Sequence, residues 1–157
     1  MNPAELVGLW SSEPYEYGSM ELTELALLAD GRGWSLFENS GGAYEIERLT
    51  WNAPEPGRLE LHTHLYVSAE FGEKQVEVEQ QSPLDGRQNV AYTLTEDTTV
   101  LEPVGFVALH LSERVVVRSR FGLTRREVTV ADDRTHAVLP YDWKCVISGP
   151  LAEPADR

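Results

Sequence analysis

The amino-acid sequence predicts an all-β protein of about eight to ten short antiparallel strands. Two glycine-containing turns near the start support this prediction: residues 30–33 read Asp-Gly-Arg-Gly, and residues 39–42 read Asn-Ser-Gly-Gly. Such residues supply the positive φ angles of tight hairpins, so the flanking strands run antiparallel. Turn signals then recur about every ten residues, a spacing that is typical of a sandwich or a barrel.

The spacing of the turns and the alternation of apolar and polar residues predict the individual elements. Residues 3–10 predict a short N-terminal helical turn and residues 11–19 a polar loop. In residues 58–68, apolar and polar side chains alternate with the period of a half-buried strand. Residues 105–112 are ambiguous between helix and strand. The predicted strands are 20–29, 33–38, 43–51, 58–68, 74–80, 88–95, 98–104, 113–121, 125–131 and a last stretch, 136–139 and 141–148, that is broken by Pro140, with turns at 52–57 and 82–87.

Length and composition indicate one domain, which we expect over residues 1–148, followed by a flexible tail at 149–157. No run approaches the ~18 apolar residues of a membrane helix, and the N-terminus lacks the features of a signal peptide. Cys145 is the only cysteine, which excludes an internal disulfide and fits a reducing compartment. We therefore expect a cytoplasmic protein without a membrane partner.

The charge distribution excludes one class of partner. The formal net charge is −13, and residues 1–80 alone carry 15 acidic against 4 basic residues. Because such a field repels phosphate backbones, we expect no binding to nucleic acid. The excess charge serves solubility in one interpretation. In the other, it forms an acidic face for a basic protein partner, as in an immunity or regulatory protein.

Three histidines are candidate metal ligands. His62 and His64 share one face of a predicted strand, within reach of one ion. Their surroundings resemble the first cupin motif, with His110 as a further ligand, but the spacing differs and the glycine and asparagine of the second motif are missing. If Leu59 and Leu61 on the opposite face point inward, the histidines are solvated. We therefore expect neither a metal nor another cofactor.

Residues 113–126 contain five arginines, and Arg118 and Arg120 share one strand face. In one interpretation, this face is on the outside and pairs with the acidic N-terminal half, each exposed pair contributing about 0–1 kcal/mol. In the other, one arginine enters a cavity and binds the carboxylate or enolate of a ligand in a bidentate manner.

A family resemblance narrows the fold. Gly8-Leu9-Trp10, the extended run 25–29 and the Asp-Gly-Arg-Gly hairpin are similar to the start of lipocalins and their calycin relatives, and the similarity covers about residues 6–104. The resemblance implies an up-and-down β-barrel with one open mouth and a cavity for one apolar molecule. It further implies that Trp10 packs beneath an arginine at the closed end, with Arg118 or Arg120 as partner.

The sequence contains no nucleophile elbow, P-loop, dinucleotide fingerprint or zinc-protease motif. We therefore expect a barrel that binds a small apolar or amphipathic molecule. The alternative is a metal-free cyclase or isomerase that acts by positioning its substrate, by analogy with small bacterial β-barrel cyclases. The candidate ligand-binding residues are Tyr15, Tyr17, Trp34, Phe37, Trp51, Tyr66, Arg118 and Arg120.

Overall fold

A computed structural model describes residues 2–16, 20–71 and 76–141. Within these residues, eight antiparallel strands form a closed barrel in which strand order follows chain order and β8 pairs with β1. The strands are β1 (Gly8–Ser11), β2 (Leu22–Leu27), β3 (Arg32–Glu38), β4 (Ala43–Asn52), β5 (Arg58–Phe71), β6 (Val76–Asp97), β7 (Phe106–Val115) and β8 (Arg118–Arg125). The predicted all-β, up-and-down barrel is therefore confirmed.

In the described part of the chain, three single turns of 3-10 helix accompany the strands, at Ala4–Leu6, Glu13–Tyr15 and Val130–Asp132. The first of them lies in the predicted N-terminal helical turn at 3–10, but residues 8–10 belong to β1, so the helical prediction is wrong for that part. The ambiguous residues 105–112 belong mostly to β7, so the strand interpretation is correct. The predicted tail at 149–157 and most of the predicted strand at 141–148 lie outside the described residues.

Several predicted boundaries in the second half are wrong. Residues 82–87 continue β6 instead of forming a turn, and residues 98–104 form a loop instead of a strand. The predicted strand 113–121 is interrupted by a turn at 116–117, and residues 125–131 and 136–139 form no strand beyond the end of β8. Pro83 is tolerated in β6 because this part of the strand has a ladder partner on one side only among the described residues.

The inner face of the barrel carries the main hydrophobic core. Trp10 of β1 lies opposite Leu25 of β2, and Leu109 of β7 lies opposite Phe121 of β8. All four side chains are fully buried and belong to one cluster. Because successive side chains of a strand point to opposite faces, alternate residues point inward, and the members of this core come from β1, β2 and β4–β8. The core fills the end of the barrel where β1 begins.

A second hydrophobic cluster lies on the outer face of β2–β5. It includes Trp34, Ile46 and Val67, and it is covered by residues 128–141, which contribute side chains such as Tyr141. The outer face of these strands is thus apolar as well as the inner one. The C-terminal part of the described chain gives this second face its own buried core.

A buried polar network joins the covering segment to β4. The Arg48 Nε donates to Asp133 Oδ2 at 3.2 Å, and its Nη2 donates to Thr135 Oγ1 at 3.0 Å. The Tyr141 hydroxyl donates to Asp133 Oδ2 at 2.6 Å, and the Arg48 guanidinium carbon lies 3.9 Å from the centroid of the Tyr141 ring. The side chains of Arg48 and Asp133 are only 6% and 0% exposed. The ion pair and its hydrogen bonds therefore replace the water that both charges lose.

The closed end of the barrel is sealed around Trp10. Its indole N–H donates to the Leu6 carbonyl oxygen at 3.0 Å. The Arg126 guanidinium carbon lies 5.8 Å from the Trp10 ring centroid, within the range of a cation–π contact. Arg126 Nη1 also donates to the carbonyl oxygens of Glu5 and Val7, at 2.7 and 3.0 Å. One arginine thus joins the N-terminal turn to the chain after β8.

The prediction of an arginine beside Trp10 named the wrong arginine. The cation over Trp10 belongs to Arg126, whereas the prediction named Arg118 or Arg120. Phe121 points inward from β8, so the even-numbered Arg118 and Arg120 point outward. Arg126 comes just after the last residue of β8, where the chain is free to turn beneath the barrel.

The opposite end of the barrel is partly open. β6 pairs with β5 from Val76 to Ala91, but its ladder with β7 runs only from Tyr92 to Asp97. In the described structure, residues 76–91 of β6 therefore have no ladder partner on the β7 side; we call them the free edge of β6. The β7–β8 turn lies across the opening from this edge. The gap between the edge and the turn leads into the barrel.

The β7–β8 turn has an unusual backbone. Val115 pairs with Arg118, and the two residues between them, Val116 and Val117, have φ angles of 48° and 64°. Both central residues of a type I′ turn have such angles, which is why Asn-Gly is the favoured sequence. For β-branched residues this conformation is strained, at about 1–2 kcal/mol each. The strain lies at the rim of the open end.

We expect Val117→Gly to raise the free energy of unfolding by about 1 kcal/mol, because glycine adopts a positive φ without steric cost. Val117 is 46% exposed, so the substitution removes little packing. Urea denaturation measures the change. Val117→Ala is the matched control: it keeps a Cβ atom and should gain little. Equal stabilisation by alanine and glycine would contradict the explanation by backbone strain.

Candidate functional site: a cavity at the open end of the barrel

A cavity of about 180 Å³ opens between the free edge of β6 and the β7–β8 turn. Apolar side chains and polar groups both contribute to its wall. The lining residues are Ser35, Glu47, Leu49, Leu61, Thr63, Gly86, Arg87, Gln88, Val115 and Val116. They come from β3 to β7 and from the β7–β8 turn, so most of the barrel circumference takes part.

Strand register places the key residues of the cavity side by side. Ser35 on β3 lies opposite Glu47 on β4, and Glu47 lies opposite Tyr66 on β5. The next inward pair is Leu49 with Thr63, because the β4–β5 ladder shifts by one residue between these pairs. This bulge leaves His64 without an opposite residue and keeps both Thr63 and Tyr66 on the inner face. The inner wall thus changes from apolar to polar toward the opening.

Glu47 is the carboxylate of this wall, and its side chain is half-buried. Burial raises the pKa of the Glu47 carboxyl, and the nearby Glu45 carboxylate acts in the same direction. Among the described residues, no hydrogen-bond donor or cation contacts the Glu47 carboxylate. Burial also raises the pKa of the Tyr66 hydroxyl, with a further contribution from Glu45 and Glu47. The inner wall near the opening is therefore acidic.

The predicted aromatic residues divide between three places. Phe37 and Tyr66 lie on the inner face near the opening, where Phe37 is opposite Glu45. Trp51 belongs to the inner core, and its indole N–H donates to the Leu28 carbonyl oxygen at 2.9 Å. Trp34 is buried in the outer cluster, away from the cavity. Tyr17 lies outside the described residues. The structure therefore brings Phe37 and Tyr66 to the opening, but not Trp34.

The remaining candidates, Tyr15, Arg118 and Arg120, lie on the outside of the barrel. The Arg120 guanidinium carbon is 4.3 Å from the Tyr15 ring centroid, and the Tyr15 hydroxyl donates to Asp97 Oδ2 at 2.5 Å. Arg118 forms a two-point ion pair with the Glu16 carboxylate. The expectation that one of these two arginines enters the cavity is therefore wrong. The alternative, pairing of an outer face with the acidic N-terminal half, is correct for Arg118.

The histidines form polar contacts on the outer face. His62 Nε2 lies 2.7 Å from Asp85 Oδ1, and His64 Nε2 lies 2.9 Å from Thr50 Oγ1. The centroids of the two imidazole rings are 4.1 Å apart, whereas His110 lies beside Tyr15 on the other side of the barrel. Among the described residues, no group of three or more histidine, cysteine, aspartate or glutamate side chains is arranged to hold a metal ion.

A larger groove of about 510 Å³ lies beside these histidines, on the outer face of β4–β6. Several of its polar side chains already have hydrogen-bond partners. Asn89 donates to Glu60 at 3.2 Å and accepts from Arg58 at 2.7 Å, and His62 contacts Asp85. A ligand would have to break or share these hydrogen bonds, so the groove is a weaker candidate binding site than its volume indicates. The smaller cavity combines apolar walls with the Glu47 carboxylate, which has no cation or hydrogen-bond donor among the described residues.

We expect the free energy of unfolding to decrease between pH 6.5 and 4 in a way that depends on His64. Burial, and secondarily His62, lowers the pKa of His64 to about 4. An unfolded histidine titrates at about 6.5. Between these values the unfolded chain binds a proton that the native chain does not, so stability is lost as the pH falls. Urea midpoints of wild type and His64→Gln across this range measure the difference.

Thr50→Val is the matched control for this measurement. It removes the hydrogen bond to His64 but keeps the imidazole, so its stability should follow the same pH profile as wild type. If the profiles of His64→Gln and wild type are parallel, the assignment to His64 is wrong.

Comparison with protein-family models, with curated proteins and with solved structures finds no match to this chain. Among the residues that the structure describes, no helix has the length and apolar character needed to cross a bilayer. Fold and cavity together define the class of protein: an eight-stranded up-and-down barrel, closed at one end by Trp10 and partly open at the other.

Proposed function

We propose that the protein binds a small amphipathic molecule in the cavity at the open end of the barrel. The observation that supports this function is the composition of the cavity wall. Leu49, Leu61 and Val115 supply apolar surface, and Thr63 and Glu47 supply polar groups toward the opening. Ligand sites commonly combine apolar walls with a few polar groups that fix orientation.

The cavity volume limits the size of the ligand. An apolar cavity of ~150 Å³ accommodates benzene, and the cavity here measures about 180 Å³. A ligand of roughly six to ten non-hydrogen atoms therefore fits inside, and a longer one would extend through the gap between β6 and the β7–β8 turn. The resemblance of the N-terminal segment to lipocalins supports the same role, since those barrels enclose one small ligand.

Native mass spectrometry of the purified protein, combined with thermal-shift measurements on a panel of small amphipathic molecules, tests the proposal. Thr63→Phe places an aromatic ring in the cavity and should abolish binding. Thr93→Phe introduces the same ring at an exposed position of β6 and should bind as wild type does. If no molecule of the panel binds wild type, or if Thr63→Phe binds as well as wild type, the proposed function is wrong.

Catalysis in the same cavity is a second candidate function. It is favoured by one observation: Glu47 is a half-buried carboxyl at a cavity wall, and burial raises its pKa, which favours a role in proton transfer to or from a bound molecule. In this proposal the barrel holds a substrate conformer for cyclisation or isomerisation. Chromatography of the ligand before and after incubation distinguishes the two functions, because an isomerase would return a product of equal mass but different retention.

A further inference from the structure

We infer that the molecule bound in the cavity carries a positively charged group, such as a primary ammonium, and that the Glu47 carboxylate binds this group. The inference rests on the proposed function and adds the chemical class of the ligand. It assigns one partner to the charge and another to the apolar part: Glu47 binds the cation, while Leu49, Leu61 and Val115 contact the remainder.

The first argument is the position of Glu47. A carboxylate that loses part of its hydration requires a cation or hydrogen-bond donors in exchange. Two other half-buried acids of the barrel have such partners: Glu16 pairs with Arg118, and Glu38 accepts from Arg134 at 2.6 Å. A third, Glu24, has the cations Arg134 and Arg125 nearby, whereas the charged neighbour of Glu47 is the Glu45 carboxylate. Within the described part of the chain, Glu47 has no such partner, although it lines a cavity. A ligand cation would supply the missing partner.

The second argument is the character of the neighbouring side chains. Glu45 is the next inward residue of β4 toward the opening, where it lies opposite Phe37 on β3 and Ser68 on β5. Tyr66 lies opposite Glu47. By register, two carboxylates and two aromatic side chains thus share the inward-pointing face of β3–β5, where Glu47 lines the cavity and Glu45 is exposed at the opening. Aromatic faces and carboxylates both attract ammonium groups, so a cation passing through the opening meets favourable groups on its way to Glu47.

The third argument concerns the basic side chains. Arg118 and Arg120, which could have bound an anion, point outward. Arg87 is the basic residue among the described cavity-lining residues, but its side chain is 68% exposed and its Nη2 lies 3.9 Å from Asp85. An anionic ligand would therefore meet Glu45 and Glu47 without a buried cation to compensate. The electrostatics of the opening favour an amine over a fatty-acid-like carboxylate.

Three probes of similar size and different charge test the inference: 2-phenylethylamine, 2-phenylethanol and phenylacetate. Isothermal titration calorimetry at neutral pH should show the amine binding about tenfold more tightly than the alcohol, because a charge-assisted hydrogen bond exceeds a neutral one. Phenylacetate should bind most weakly. High salt should reduce the preference for the amine.

Glu47→Gln keeps the shape of the side chain and removes its charge, so it should bring the affinity for the amine down to that for the alcohol. Glu60→Gln removes a carboxylate from the outer face of β5 and should leave the preference unchanged. Glu47→Gln is expected to fold, because the ionised carboxylate it removes is one that burial disfavours; circular dichroism checks this.

The outcomes separate the two proposals. If the alcohol binds at least as tightly as the amine, the inference about charge is wrong and the cavity remains a binding site. If the amine is preferred equally by wild type and Glu47→Gln, Glu47 is not the group that binds it. If none of the three probes binds, the proposed function fails together with the inference.

Discussion

Replacing Asp133 with alanine should lower the free energy of unfolding by about 3–5 kcal/mol, because the substitution leaves the buried Arg48 guanidinium without its counter-ion. Asp133 also accepts hydrogen bonds from the backbone N–H and hydroxyl of Thr135, at 2.8 and 2.7 Å, and from Tyr141. Burial, with the Asp133 charge beside it, raises the pKa of the Tyr141 hydroxyl, so this group remains a donor at all ordinary pH values. The substitution of Asp133 therefore removes a partner from Arg48, Thr135 and Tyr141 at the same time.

Urea denaturation measures this loss, and limited proteolysis shows where it acts. Cleavage within residues 128–141 should become faster in Asp133→Ala, because the network holds this segment to the outer face of β4. The double variant Arg48→Met/Asp133→Leu is the control. It removes both charges and keeps apolar volume, so it should recover most of the stability. A loss below about 1 kcal/mol in Asp133→Ala would show that the segment is not docked as described.

Gly33→Ala is expected to destabilise the barrel by about 3 kcal/mol, the upper part of the range for overpacking. A Cβ atom at Gly33 would lie 2.2 Å from the Ala26 carbonyl oxygen and 3.1 Å from Leu49 Cδ1. The oxygen belongs to the backbone of β2, which pairs with β3 at this point, so it cannot move without separating the strands. Glycine thus allows the sheet to curve tightly beside the inner core.

The matched control is Gly41→Ala in the β3–β4 turn. There a Cβ atom would meet only Asn39 Oδ1, at an ordinary 3.4 Å. Thermal or chemical unfolding of both variants compares the two sites. Equal effects at positions 33 and 41 would mean that the cost comes from the loss of glycine in general and not from the close approach of β2 and β3.

The first half of the fold was predictable because its turns are short and local. The Asp-Gly-Arg-Gly and Asn-Ser-Gly-Gly signals lie where β2, β3 and β4 are joined. The second half of the fold was harder to predict from the sequence. Residues 82–87 have the composition of a turn, yet they extend β6 because β5 pairs with residues 82, 83, 86 and 87 on both sides of an irregularity at 84–85. The conformation of this segment depends on its pairing with a strand distant in sequence, and local residue propensities do not reveal such pairing.

The candidate site was predictable only in part. Alternation along residues 43–51 shows that Glu45, Glu47 and Leu49 share a face. It does not show that this face is the inner one, because the opposite face carries Ile46 and is buried as well, beneath residues 128–141. When both faces of a strand contain buried apolar residues, the alternation of polar and apolar residues no longer distinguishes the inner face from the outer face. Phe37 and Tyr66 were proposed because they are aromatic. Nothing in the sequence distinguished Glu47 from the other acidic residues, and only the structure shows which side chains surround it.

The free edge of β6 has a consequence for the behaviour of the protein at high concentration. An unpaired strand is a template on which a second chain can extend the sheet. Here Glu77, Glu79 and Asp85 place negative charge along the strand, and Pro83 removes one amide donor from it. Two copies that approach edge to edge therefore repel each other. Acidic pH and high salt weaken this repulsion, so these are the conditions under which we expect the barrels to polymerise.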